Sequence, residues 1–170
     1  MAGSSRTAPP EFDMRLTSYT DYCLRVLIYV AAHPEGRGTI AEIAQSYGIS
    51  ENHLVKVVHF LGKEGFLLNV RGRGGGLRLA RPAGEINVGD VVRRAEGPPV
   101  MAACFDRAAQ PCSIFSACRL RGALADAAAA FHDVLDGYTL QDLIGTRDQL
   151  QRVRILLHKP EPARRTRQSA

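Results

Sequence analysis

Three cysteines lie close together in the second half of this 170-residue chain, where seven residues separate Cys104 from Cys112 and five separate Cys112 from Cys118. Thiolates are soft ligands that suit zinc and iron-sulfur clusters, and neighbouring thiols can also act as a redox switch. The gaps are wider than those of zinc ribbons and bacterial ferredoxins. The spacing therefore leaves three interpretations open, which are an iron-sulfur cluster, a structural zinc site and a thiol switch.

The fourth cysteine, Cys23, stands apart in an apolar helical pattern. A free cysteine in such a pattern is usually a small buried hydrophobic residue, so we expect Cys23 in the core. Cysteines placed in this way do not suggest a disulfide framework. This favours a reducing compartment, in which disulfides are rare. No apolar run approaches the roughly 18 residues of a membrane span, and residues 1–13 lack the apolar core of a signal peptide. We expect a cytoplasmic protein that does not act at a membrane.

The elements that precede the cysteines have the pattern of a helix-turn-helix. A helix is predicted from Thr17 to about Ala32, and Thr39 with Glu42 forms a capping box that starts a second, short helix. Gly48 suits its left-handed C-cap, and Ser50 can cap a third helix two residues later. The face of the first helix that we expect to be buried consists of Leu24, Leu27, Ile28 and Ala31.

The third helix has a clear apolar side and a clear polar side. The residues predicted to be buried are Leu54, Val57, Val58 and Leu61, and those predicted to face outward are Asn52, His53, Lys56, His59 and Lys63. After Gly65, β-like runs at 66–70 and 77–80 flank a basic, glycine-rich tip that contains Arg71 and Arg73. This succession predicts a winged helix-turn-helix within a mainly α-helical fold.

A winged helix-turn-helix places its last helix in the major groove of double-stranded DNA and lets the wing contact the backbone or the minor groove. The net charge of +5 agrees with a polyanionic partner. The alternative is that the short capped helices merely form part of a helical core and that the tip is a solvated turn. The candidate DNA-contacting residues are Ser50, Asn52, His53, Lys56, His59, Lys63, Arg71 and Arg73.

A long helix is predicted to follow the cysteines, from about Ser116 to Asp136. Its apolar residues form a narrow seam that requires a partner helix, and pairing of two chains predicts an imperfectly palindromic DNA site. The seam consists of Leu120, Leu124, Ala127, Phe131 and Val134. Short helices are expected over Thr139–Ile144 and Arg147–Leu157, and Asn87 is expected to cap a helix that ends near Ala95.

These patterns divide the chain into five parts. They are a disordered arm or leader (1–13), a winged helix-turn-helix domain (14–97), a cysteine loop that binds a cluster (98–119), a dimerisation helix region (120–145), and a weak helix with a flexible basic tail (146–170).

Several of these motifs together resemble the Rrf2 family of transcription regulators, and within it the repressors that sense nitric oxide. They are MRLT at 14–17, TDY at 20–22, the tip RGRGGG at 71–76, and the cysteine segment from CF at 104 to CRL at 118–120. The resemblance extends over about residues 14–145. It implies a homodimer in which the winged domain binds operator DNA and a long helix joins the two subunits.

The resemblance also implies a 4Fe-4S cluster held by Cys104, Cys112 and Cys118. The fourth ligand would be an acidic residue at the start of the first helix, matched here by Asp21 of the other subunit. Nitric oxide would react with the cluster and weaken operator binding, which makes the protein a repressor. An alternative for Asp21 is ordinary stabilisation of the first turn of its helix.

The sequence departs from the family pattern at several places. Relatives that regulate iron-sulfur biogenesis carry a histidine three residues after the third cysteine, where this chain has Arg121, which is not a normal metal ligand. The first cysteine gap is slightly long, and Cys23 occupies a position where a small apolar residue is common, which keeps Cys23 as an alternative ligand.

Three other functions remain as alternatives. They are a 2Fe-2S or redox regulator of the same family that controls iron-sulfur status, a zinc-stabilised DNA-binding protein, and a thiol enzyme. No Cys-x-x-Cys pair or substrate-binding signature supports the enzyme, so we expect no catalytic residues.

Overall fold

A computed structural model describes residues 16–72, 74–97, 102, 105 and 112–157. The expected arm at 1–13, Arg73, Cys104 and the basic tail from Lys159 lie outside the described residues. In chain order the elements are α1 (Ser18–Ala32), α2 (Ile40–Tyr47), α3 (Glu51–Lys63), β1 (Leu67–Val70), β2 (Gly76–Leu79), α4 (Val88–Glu96), α5 (Arg119–Asp136), α6 (Leu140–Ile144) and α7 (Arg147–Leu157).

Helix α1 forms the centre of the core, because α3, α4, α6, α7 and β2 all pack against it. Its predicted apolar stripe is partly wrong: Val26, Tyr29 and Val30 are fully or almost fully buried, whereas Leu24 and Ile28 are only half-buried. The predicted stripe assumes that the helix buries a single face. Since neighbours surround α1, more than one of its faces is buried.

The helix-turn-helix is confirmed, including its capping box. The Thr39 backbone N–H donates to Glu42 Oε2 over 2.8 Å, and the Glu42 N–H donates to Thr39 Oγ1 over 3.2 Å. Gly48 has φ 65° and ends α2 in the left-handed conformation. Ser50 occupies the N-cap of α3, but its side chain makes no capping hydrogen bond, so the predicted hydroxyl cap is wrong. Its backbone carbonyl instead accepts the Leu54 N–H over 3.2 Å.

The two strands form an antiparallel hairpin in which Leu67 pairs with Leu79 and Val70 pairs with Gly76. Gly38, between α1 and α2, extends this small sheet: its N–H donates to the Leu77 carbonyl over 3.0 Å, and its own carbonyl accepts the Leu77 N–H over 2.7 Å. The base of the wing is therefore bonded to the loop between α1 and α2.

Helices α4 and α5 pack against each other at the carboxyl end of α5. Asn87 caps α4 as predicted, since its Oδ1 accepts the Asp90 N–H over 2.9 Å, and its Nδ2 donates to the Asp136 carbonyl over 2.7 Å. Arg93 forms an ion pair with Asp136 at 2.7 Å. Only Ala128 of α5 is buried in the single chain.

Helix α7, predicted as a weak helix, forms over the predicted residues and packs against α1. Arg154 Nε donates to the Ala32 carbonyl at the end of α1 over 2.6 Å, and Ser46 of α2 donates to the Leu157 carbonyl over 2.8 Å. No described helix is long and apolar enough to span a membrane.

Candidate DNA interface and cysteine segment

The outward side of α3 is polar and open to solvent, as predicted. Because Leu54, Val57 and Leu61 anchor the opposite side in the core, the outward side is held in a fixed orientation. We call five of its exposed residues the recognition face: Asn52, His53, Lys56, His59 and Lys63. The apolar Val55 and the acidic Glu51 are exposed on the same helix. Ser50, at the start of the helix, and Arg71, at the start of the wing tip, are exposed as well.

One residue of the recognition face also contacts α1. The rings of His53 and Tyr22 are stacked with centroids 6.3 Å apart and planes inclined by 30°. Tyr19, one turn earlier, meets Phe60 edge-on at 5.5 Å. Both spacings lie within the range of favourable aromatic pairs, so the start of α1 and the recognition helix are joined through side chains.

Asp21 lies in the first turn of α1, beside Tyr22. Its carboxylate forms an ion pair with Arg25 at 2.9 Å, and each of these side chains is 42% exposed. The guanidinium of Arg25 also lies 5.6 Å from the centroid of the Tyr47 ring. The carboxylate is thus accessible and already paired, an arrangement that suits the ordinary role of stabilising the helix start and leaves an oxygen that can bind an external ligand.

Cys112 and Cys118 are free thiols near the start of α5. Cys112 is exposed and Cys118 is half-buried, and a short 3-10 turn over Phe115–Ala117 separates them. Cys104 lies outside the described residues. Within the described part of the chain, Asp21, Cys112 and Cys118 do not come together as a set of three metal ligands.

Cys23 is buried in the core with an exposure of 0%, which confirms its predicted structural role. Burial raises the pKa of its thiol to about 12, and the charge of Glu96 adds to the rise. A buried thiol that stays protonated is a poor metal ligand. The structure therefore argues against Cys23 as the alternative ligand.

Sequence analysis missed a link between the start of α1 and the end of α4. The Thr17 backbone N–H donates to Glu96 Oε1 over 2.7 Å, and the Thr17 hydroxyl donates to the same oxygen over 3.1 Å. Glu96 is the last residue of α4 and immediately precedes Gly97, where the chain leaves the winged domain toward the cysteines. The two residues are 79 positions apart, so no local pattern indicates that they meet.

A helix-turn-helix with an exposed polar recognition face and an adjacent hairpin defines a winged-helix DNA-binding protein. Comparison with known proteins agrees: residues 16–146 match the model of the Rrf2 family, described as iron-dependent transcriptional regulators. The chain belongs to the Rrf2 family. It is a transcription regulator and not an enzyme.

Curated relatives carry the description "HTH-type transcriptional regulator NsrR". The protein from Shouchella clausii is 45% identical over 139 residues, which cover 81% of this chain and 93% of the relative. The protein from Bacillus subtilis is 44% identical over 141 residues, which cover 82% of this chain and 97% of the relative.

Solved structures of regulators share the fold. Staphylococcus aureus CymR superposes with a TM-score of 0.61 at 30% identity, covering 76% of this chain and 98% of CymR. IscR from T. potens gives a TM-score of 0.62 at 27% identity, covering 78% of this chain and 87% of IscR.

Proposed function

We propose that this protein is a cytoplasmic, homodimeric repressor that senses nitric oxide through an iron-sulfur cluster and releases operator DNA when the cluster is nitrosylated. The observation that carries the proposal is the position of the free thiols of Cys112 and Cys118, which stand at the start of a helix on which Leu120 and Val134 of the apolar seam are exposed. Relatives named NsrR and the iron-dependent description of the family support it.

The donor set fits an iron-sulfur cluster. Thiolate sulfur is the preferred ligand of such clusters, and the thiols of Cys112 and Cys118 are free. With Cys104 they would supply three ligands. When bound, the cluster supplies iron that reacts with nitric oxide.

Asp21 is the proposed fourth ligand, contributed by the other subunit. Its carboxylate is accessible but does not join Cys112 and Cys118 within one chain. The oxygen that is not paired with Arg25 could bind iron, so that the carboxylate would be shared between the metal and Arg25. Release of Asp21 would leave it with Arg25 alone, so the two states of the carboxylate differ by a contact at the start of α1.

The link from Asp21 to DNA would run through its neighbour. Tyr22 stacks on His53 of the recognition face, so a shift in the first turn of α1 changes the support of the helix that would enter the major groove. A difference in DNA affinity of about 1 to 3 kcal/mol between the two states is enough to switch occupancy.

Dimerisation would bury the seam of α5. Leu120 and Val134 are 65% and 63% exposed, although both lie on the predicted seam. The double variant Leu120→Glu with Val134→Glu should sediment as a monomer, whereas Ala129→Glu, on the opposite side of the helix, should remain a dimer. Identical sedimentation of both variants as dimers would exclude the seam as the interface.

The ligand assignment is tested by the iron and sulfide content of protein purified without oxygen. Wild type should contain about four irons and four sulfides per chain. Cys112→Ser and Asp21→Ala should lose or destabilise the cluster, whereas Cys23→Ala should keep it. Colourless wild-type protein that contains zinc instead would contradict the cluster.

The second candidate is a 2Fe-2S or redox regulator of iron-sulfur status. The similarity to the solved structure of IscR favours it, but Arg121 replaces the histidine expected for that branch. A visible spectrum and iron count of a 2Fe-2S form, insensitive to nitric oxide, would select it.

A further inference from the structure

The guanidinium of Arg121 lies against two aromatic rings from different parts of the cysteine segment. Its Cζ is 4.6 Å from the centroid of the Phe115 ring and 5.7 Å from that of the Phe105 ring. Both distances are within the reach of about 6 Å at which a cation is attracted to a ring face. We call these three residues the arginine clamp.

The clamp joins the parts of the segment that carry the cysteines. Phe105 directly follows Cys104, and Phe115 stands midway between Cys112 and Cys118. One side chain of α5 thus contacts the residue that follows Cys104 in the sequence and the residue between Cys112 and Cys118.

The position of Arg121 within α5 does not favour an arginine. Arg121 lies in the first turn of α5, where the helix dipole disfavours a positive charge, and no acidic residue occupies that turn. The planar guanidinium can stack on aromatic rings, which the compact ammonium of lysine does less well. Among the described residues, the two ring contacts are the interactions that this side chain makes.

The described residues of the segment form single backbone turns. The Phe105 N–H donates to the Ala102 carbonyl and the Phe115 N–H to the Cys112 carbonyl, each over 2.9 Å. The Ala117 N–H donates to the Ile114 carbonyl over 3.0 Å. These are single turns, and the Phe115 side chain is 40% exposed. Side-chain contacts must contribute to keeping such turns closed.

We propose that Arg121 is a positioning residue for the cysteine segment: it gathers the thiol-bearing turns at the start of α5 in the ligand-free chain and fixes a positive charge beside them. This inference rests on the proposed function for the role of the cysteines as cluster ligands, whereas the clamp is a property of the chain alone. A permanent positive charge at this place suits an anionic group held by three thiolates.

Hydrogen exchange of the full-length, metal-free protein tests the clamp. The amides of Phe105, Phe115 and Ala117 are the reporters, because each makes one of the turn hydrogen bonds. Arg121→Gln should raise their exchange rates about five-fold, since two exposed cation–π contacts are lost. Arg119→Gln, two residues away in the same turn, is the matched control and should leave the rates at the wild-type value.

Substitution of a ring separates positioning from a general loss of structure. Phe115→Leu should exchange as fast as Arg121→Gln, and Phe115→Tyr, which keeps the ring face, should restore the slow exchange. Arg121→Lys, which keeps only the charge, should fall between wild type and Arg121→Gln. The amides of α1 should keep their protection in every variant, which shows that the core remains folded.

The iron-loaded protein gives a second measurement. The visible absorbance of anaerobic Arg121→Gln should decay about five-fold faster than that of Arg119→Gln in the presence of a chelator, as the loss of two ring contacts would predict. If Arg121→Gln has the same exchange rates and the same cluster lifetime as the wild type, the inference is wrong. The proposed function would not be affected by that result. Faster exchange in Arg121→Gln, together with a wild-type protein that binds no iron, would uphold the clamp and refute the cluster.

Discussion

Thr17, the N-cap residue of α1, is bonded to Glu96, the last residue of α4, with the Thr17 backbone N–H donating to Glu96 Oε1 over 2.7 Å. The bond closes the winged domain at the place where the chain leaves it for the cysteine segment. Since Asp21 lies one turn further along α1, the same bond sets the position of the proposed fourth ligand relative to that exit.

Removal of the Glu96 carboxylate should destabilise the metal-free protein. We expect Glu96→Ala to lower the free energy of unfolding by about 1 to 2 kcal/mol, since the carboxylate accepts two hydrogen bonds from Thr17 at an exposed place. Glu96→Gln, which keeps an acceptor oxygen, should lose less. Urea unfolding followed by circular dichroism measures both, and equal stability of Glu96→Ala and wild type would show that the bond contributes nothing.

The cysteines should differ sharply in reactivity. Burial and a pKa of about 12 leave the Cys23 thiolate at roughly one part in ten thousand at pH 8, whereas Cys112 is exposed. In metal-free native protein, iodoacetamide should modify Cys112 much faster than Cys23. Mass spectrometry identifies the cysteine that is modified at each time point. In urea the two cysteines should react alike. Modification of native Cys23 at the rate of Cys112 would contradict its placement in the core.

The two kinds of DNA contact should separate in their salt dependence. If Lys63 contacts a phosphate, as proposed, Lys63→Gln should reduce the slope of log affinity against log salt by about 0.9. If Asn52 contacts a base, Asn52→Ala should weaken operator binding by about 1 to 3 kcal/mol with the slope unchanged. Fluorescence anisotropy over a range of salt concentrations distinguishes them. If Asn52→Ala weakens binding to operator DNA and to unrelated DNA equally, Asn52 does not contact a base.

The junction of α4 and α5 should weaken in acid. The hydrogen bond from Arg93 holds the pKa of Asp136 below its usual value, so this contribution to stability is present above about pH 4 and is lost as the pH falls through the folded pKa. Wild type should be more stable than Asp136→Asn at pH 6, and the difference should shrink as the pH falls below about 4. Urea unfolding over this pH range measures it, and a difference that does not shrink in acid would rule out this ion pair as its cause.

The helices were largely predictable because their signals are local. The capping box of Thr39 and Glu42, the left-handed Gly48 and the Asn87 cap all lie within a few residues of the bonds that they make. The polar side of α3 was predictable for the same reason. The buried faces of α1 were not, since which faces are covered depends on elements that arrive later in the chain.

Contacts between distant residues gave no sequence signal. The bond between Thr17 and Glu96 and the stack of Tyr22 on His53 depend on how helices pack, and residues of these types occur equally in unrelated surroundings. Arg121 was noticeable only as the absence of a histidine, and its two rings could not be assigned to it from spacing. The cysteine motif indicated soft-ligand chemistry, but spacing alone could not distinguish between a cluster, zinc and a thiol switch.

We propose that an intact cluster is needed for operator binding and that nitric oxide abolishes this binding. The decisive experiment adds nitric oxide stepwise to anaerobic protein and records visible absorbance and operator affinity in the same sample. We expect a brown 4Fe-4S form whose absorbance bleaches as operator DNA is released, with Cys112→Ser lacking both signals. Equal operator affinity of iron-loaded, iron-free and nitrosylated protein would contradict it.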